Sequence, residues 1–293
     1  MKKIENCPNC DSKEQTKFLS CIDNTYSKKT FTIVKCSKCD LAFTNPIPEI
    51  KDLGKYYESK EYISHTNNNK GWFNTLYQIA RLINIKSKLK TIGYKKGNLL
   101  EIGSGTGELI DACKKAGWKT TGIEPSMKAR KNAKDNLNLE LFEHMDQAKL
   151  KDKSQDIIMM WHVLEHIPNL KETTQKINRL LKDDGRLIIA VPNYKSYDAN
   201  HYKENWAAYD VPRHLLHFNK NTMAKVLNRA GLKVVKTKAM WLDSLYVSML
   251  SEKIKTGERN PIKAIGIGIA SNLKGLLKTK EYSSLIYIAK KGF

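Results

Sequence analysis

The chain has 293 residues, longer than one typical domain and long enough to bury a sizeable apolar core. It has no uncharged apolar run of about 18 residues, and no apolar export segment follows Met1-Lys2-Lys3-Ile4, which sets aside a spanning helix and a signal peptide and leads to an expected cytoplasmic location. Its 51 Lys and Arg against 30 Asp and Glu give a formal charge of +21, a field that attracts polyanions or anionic membrane surfaces, although the scattered lysines also fit a general compositional bias.

The first 45 residues hold two Cys-x-x-Cys knuckles, Cys7-Pro8-Asn9-Cys10 and Cys36-Ser37-Lys38-Cys39, each followed by an aspartate. Four thiolates so paired can surround one zinc ion tetrahedrally, and the 25 residues from Asp11 to Lys35 can form a hairpin, with Thr-Phe-Thr-Ile-Val-Lys as a strand. The expected module is a small zinc ribbon over residues 1–45, with a closed, structural site. Cys21 and Cys113 are left over, and Cys113 suits a small core position.

Asn45-Pro46-Ile47-Pro48 interrupts regular structure, because each proline holds its predecessor extended. Residues 46–96 then read as a helical linker or cap: from Leu53 to Ile92 apolar residues recur at intervals of three and four. Tyr56, Tyr57, Tyr62, Trp72 and Phe73 are candidates to line a pocket or to join the core.

The remaining 97–293 alternate strand and helix. Leu99–Ile102, Thr120–Ile123, Leu139–Phe142, Asp156–Met160, Arg186–Val191, Leu232–Lys236 and the terminal Ser-Ser-Leu-Ile-Tyr-Ile-Ala-Lys-Lys read as strands. Helices are expected at Leu170–Leu181 and at Thr222–Ala230, the second capped by Asn221 and Gly231. The pattern predicts an α/β fold with a doubly wound, seven-stranded sheet.

The first core strand runs into Gly103-Ser104-Gly105-Thr106-Gly107. A dinucleotide turn would place its third glycine at 108, where the chain has Glu108, whose charge repels a pyrophosphate; a cationic, phosphate-free cofactor suits the turn better. With Glu101, Gly103, Gly105 and Gly107 matching E/D-x-G-x-G-x-G, the chain resembles the class I S-adenosylmethionine-dependent methyltransferases over roughly residues 97–240. The resemblance implies a Rossmann-like core with an antiparallel last strand and S-adenosyl-L-methionine as cofactor. It also implies that the turn packs on the methionine part, that Glu124, 17 residues after Gly107, accepts from the ribose hydroxyls, and that Asp146 and Gln147 lie in the adenine loop.

Ligands of open α/β sheets sit at the carboxyl ends of strands, so Trp161 and His162 should face the transferred methyl group. His162-x-x-Glu165-His166 also fits a zinc-peptidase pattern, which requires a well-formed helix that Pro168 disfavours. Ubiquinone-type O-methyltransferases have E-x-x-E-H here, a proposed divalent-cation patch, but His162 replaces the first carboxylate. Asp210-Val-Pro-Arg-His-Leu-Leu-His-Phe218 supplies His214 and His217, candidate bases for a hydroxyl or carbon acceptor and equally candidates for structural roles.

Three functions follow: methyl transfer to a small molecule, sugar or lipid-linked glycan; RNA methylation using the ribbon and the basic surface; or a non-enzymatic zinc- and nucleotide-binding adaptor. A variable insertion at about 241–280 contains the apolar run Ala264–Leu277, too short to span a bilayer, which is expected either to cap the active site or to lie on an anionic membrane.

Overall fold

A computed structural model describes residues 1–57, 83–93, 95–258 and 260–292. Tyr62, Trp72 and Phe73 lie outside the described residues, and of the expected helical stretch only residues 83–92 are described as a long helix.

The core is a six-stranded sheet in the order β5-β4-β6-β7-β10-β9, formed by β4 (Asn98–Ile102), β5 (Lys119–Ile123), β6 (Gln155–Trp161), β7 (Leu181–Pro192), β9 (Leu232–Ala239) and β10 (Ser284–Lys291). β4 to β7 pair parallel, whereas β10 inserts antiparallel between β7 and β9, as the resemblance implies. The central strands have apolar middles because helices cover both faces: Leu99, Leu100, Ile158, Met159, Met160 and Ile188 are fully buried.

The expected seventh strand is absent. Leu139–Phe142 makes one parallel bridge, Phe142 to Ile123, because left-handed Asn138 turns the chain sharply before it and bends follow directly. The cap of the helix Lys220–Arg229 also moves, from Asn221 to Asn219. Asn219 Oδ1 accepts from Thr222 N at 3.0 Å while Thr222 Oγ1 accepts from Asn219 N at 2.9 Å, a reciprocal box that Asn221 cannot make.

A second sheet holds the amino-terminal residues: β1 (Gln15–Ile22), β2 (Thr30–Cys36) and β3 (Ala42–Thr44) form an antiparallel meander. Its fourth strand is β8, Leu216–His217, from much later in the chain, with Ala42 opposite His217 and Phe43 opposite Leu216. Cys7, Cys36, Leu41 and Phe43 share one apolar cluster with Leu164, Leu170, Met223 and Val226 of the core. The amino-terminal sheet is therefore sewn onto the 210–218 loop of the α/β unit.

No helix among the described residues is long and apolar enough to cross a membrane.

Candidate functional site

The glycine turn adopts the conformation its sequence requires. Gly103, Gly105 and Gly107 have φ of 77°, 55° and 88°, in the left-handed region. At Gly103 a Cβ would stand 2.2 Å from Val163 Cγ2, so the residue is fixed by close approach as well as by φ. A Cβ on Gly105 would meet nothing within 4 Å, leaving open space above the turn. Glu124, at the end of β5, turns its carboxylate to this space, accepting from Gly105 N at 2.8 Å and from Ser126 N at 2.9 Å.

Glu101, beneath the turn, is 3% exposed and its Oε2 has no hydrogen-bond partner. Burial pushes its pKa up to about 8, against the opposing charge of Lys88. The idle oxygen of this buried carboxyl leaves an acceptor for a donor such as an ammonium group, and the turn offers no charged side chain for a phosphate. Glu101, the three glycines and Glu124 thus fit S-adenosyl-L-methionine, whose amino group and sulfonium are cationic and whose ribose presents two hydroxyls.

Of the expected adenine-loop pair, Gln147 Oε1 accepts from Glu143 N at 2.9 Å, holding the loop after Phe142. Asp146 is largely exposed and ion-paired to Lys176. Trp161 is buried at the end of β6, its indole nitrogen without a hydrogen-bond partner, and Lys88 Nζ stands 4.7 Å from its ring centroid. Lys88 had no signal in a lysine-rich helix, because only the fold shows that it reaches over Trp161 toward Glu101.

His162 has φ of 55° and Leu164–His166 forms a single 3₁₀ turn, so the helix that the zinc-peptidase pattern needs does not exist. His162 remains one-third exposed, and its Nδ1 lies 3.4 Å from Oε1 of fully buried Glu165. Burial draws the His162 pKa down, but the Glu165 and Asp243 carboxylates outweigh it and raise it above the usual histidine value. Burial likewise opposes ionisation of Glu165, yet His162, His214 and His166 around it lower its pKa below the usual carboxylate value.

His214 and His217 are both buried. His214 Nδ1 donates to Ala208 O at 2.9 Å, and His166 Nδ1 lies 3.0 Å from both Arg213 O and Tyr57 Oη. His217 Nε2 is 3.0 Å from Thr44 Oγ1 and its ring packs edge-on to Tyr209. Burial pushes the His214 pKa down to about 4 and that of His217 well below its ordinary value, so both rings are neutral at pH 7. Donor atoms of Glu165, His166 and His214 lie within 4.8 Å of one another, which brings the two sequence-predicted patches together and makes this a donor set able to hold a cation.

The four knuckle cysteines form the other donor set, also within 4.8 Å. Cys7 Sγ is 3.5 Å from Cys39 Sγ and Cys10 Sγ is 3.4 Å from Cys36 Sγ, close to the ~3.8 Å that zinc–sulfur bonds of ~2.3 Å set along a tetrahedral edge. All four are free thiols, with Asp11 and Asp40 in left-handed turns behind them. Those aspartates are tied to the core, Asp11 to Lys171 at 2.9 Å and Asp40 to Lys225 at 3.1 Å. The cluster is compatible with structural zinc.

A methyltransferase domain model matches residues 74–237. The chain belongs to the methyltransferase domain family. Within that family it is 34% identical over 106 residues to an uncharacterized methyltransferase of Alkaliphilus oremlandii, covering 35% of this chain and 49% of that one. It is 32% identical over 124 residues to a ubiquinone biosynthesis O-methyltransferase of Actinobacillus pleuropneumoniae, covering 39% of this chain and 52% of the relative. The chain thus spans about half the length of the curated relatives it matches. A solved S-adenosylmethionine-dependent methyltransferase from Archaeoglobus fulgidus shares the fold at a TM-score of 0.51 and 20% identity, over 75% of this chain and 100% of that one. The matched region holds β4 to β7, most of β9 and the glycine turn, whereas residues 1–57 precede it and β10 follows it.

Proposed function

We propose that this protein transfers the methyl group of S-adenosyl-L-methionine to a small-molecule, sugar or lipid-linked glycan acceptor, and that its knuckles hold one structural zinc ion. The observation that carries the reading is the buried, half-partnered Glu101 beneath an open glycine turn faced by the Glu124 carboxylate. Bound there, the cofactor supplies an electrophilic methyl carbon on a sulfonium. The chain has to position an acceptor in line and, for a hydroxyl or carbon acceptor, remove a proton.

His162 is the residue for that proton. It follows the carboxyl end of β6, its side chain is one-third exposed, and the Glu165 carboxylate 3.4 Å away stabilises its charged form. His214 and His217, buried and tied to backbone and Thr44, serve to lock the 210–218 loop onto the ribbon. The RNA alternative is weakened because the knuckles pack on the core through Leu164, Leu170 and Met223 and their aspartates are paired with core lysines.

Titration calorimetry with S-adenosylhomocysteine tests the reading. Binding is expected for the wild type, and Glu124→Ala, losing charge-assisted bonds of about 1.5 to 3 kcal/mol, should bind roughly 10- to 100-fold more weakly. An absence of heat with the folded wild type would sink the proposal.

A further inference from the structure

The helix Pro261–Lys274 and the turn Gly275–Thr279 that continues it are packed inside out. The side toward the protein carries small residues, Ala264, Gly268, Ser271 and Gly275, all buried. A Cβ on Gly268 would lie 2.8 Å from Leu245 Cδ2 and 3.0 Å from Ser244 O, and one on Gly275 would lie 2.9 Å from the Tyr282 ring, so the helix sits hard against its neighbours. The large aliphatic residues point away, apart from Ile267, which packs on the buried cluster that holds Tyr202 and Val247. Ile262 is 86% exposed, Leu277 75%, and Ile265, Ile269, Leu273 and Leu276 between 43 and 50%. Single exposed aliphatics are ordinary, but Ile262, Ile265, Ile269, Leu273 and Leu276 follow one another at intervals of three and four along one stripe.

The charges beside the stripe indicate what covers it. From Pro261 to Lys280 there is no acidic residue, while Lys263, Lys274, Lys278 and Lys280 flank the aliphatics. Lys263 is neutralised by Glu252 at 2.7 Å, but the other three have no carboxylate partner among the described residues. A convex aliphatic ridge edged with lysines, on a chain of net charge +21, matches the boundary between anionic headgroups and acyl chains, where lysines reach outward and aliphatics sink. At about 1.5 Å per residue the helix is too short to cross and long enough to lie in that plane.

We propose that the ridge Ile262–Leu277 docks this protein on anionic lipid bilayers. The docking needs neither the cofactor nor methyl transfer, so it stands or falls apart from the catalytic reading.

Flotation of the full chain with vesicles of phosphatidylcholine and phosphatidylglycerol, and with phosphatidylcholine alone, is the test. Wild type should float with the anionic vesicles at low ionic strength, release as salt rises, and stay behind with the neutral ones. Ile262→Ser, Ile269→Ser and Leu273→Ser combined should abolish flotation while the chain still melts as a folded protein, because Ile262 faces outward and Ile269 and Leu273 are only half buried. Wild type that stays behind with anionic vesicles, or a triple variant that floats as well as wild type, overturns the proposal. A dimer seen by light scattering and dissolved by the triple variant, without flotation, would assign the ridge to a second copy and overturn it as well.

Discussion

Cys36→Ser is expected to release zinc and to take the amino-terminal sheet down with it. Structural zinc contributes about 10 to 16 kcal/mol of apparent free energy in small modules, as much as the whole stability of a typical domain. Cys36 is fully buried in the apolar cluster that joins ribbon to core, so the lost ligand also loosens Leu41 and Phe43 against Leu164 and Met223. The damage should travel further, because Thr44 N bonds Leu215 O at 2.9 Å and Thr44 Oγ1 donates to His214 O at 2.7 Å. Cys21→Ala, outside the donor set, should keep the metal and cost only a small cavity. Elemental analysis with thermal melting decides it: one zinc per chain in wild type and Cys21→Ala, none and a much lower melting point in Cys36→Ser. A wild type that folds fully without zinc would overturn the assignment.

The second large effect concerns His162. His162→Ala should lower turnover by roughly 10² to 10⁴, the usual scale of general-base catalysis, with the affinity for S-adenosylhomocysteine nearly unchanged. The pH profile carries the finer forecast. Glu165 and Asp243 raise the His162 pKa, and only the neutral ring can accept a proton, so activity should fall as pH drops through a value above that of an ordinary histidine. Glu165→Gln removes one of those charges and should shift this acid limb to lower pH. A limb that stays in place in Glu165→Gln, or turnover within a fewfold of wild type in His162→Ala, returns the pair to a structural role.

Most parallel strands could be read closely from the sequence because they hold apolar runs bounded by glycine or polar turns; Asp156–Met160 lies within the observed Gln155–Trp161. The glycine turn with Glu124 was legible for the same reason, as local chemistry at fixed spacing. The pairing of β3 with β8 was not. Two residues, Leu216 and His217, carry no strand signal of their own, and their partner Ala42-Phe43 lies more than 170 positions away. That pairing decides what His217 does: from its sequence it could serve as a base, whereas in the fold its ring is committed to Thr44. Glu165 was visible in His-x-x-Glu-His but not its burial among three histidines, which needs the 210–218 loop to return over β6. The ridge of Pro261–Lys274 was misleading in a further way, since an apolar run normally buries its large side chains and here glycine, alanine and serine take most of the inner face beside Ile267.

A crystal structure with S-adenosylhomocysteine tests the central claim most directly. The account predicts the ribose hydroxyls on the Glu124 carboxylate, the methionine part over Gly103–Gly107 with its amino group toward Glu101, and the sulfur facing His162. A ligand bound elsewhere, or a glycine turn left empty at saturating ligand, would contradict it.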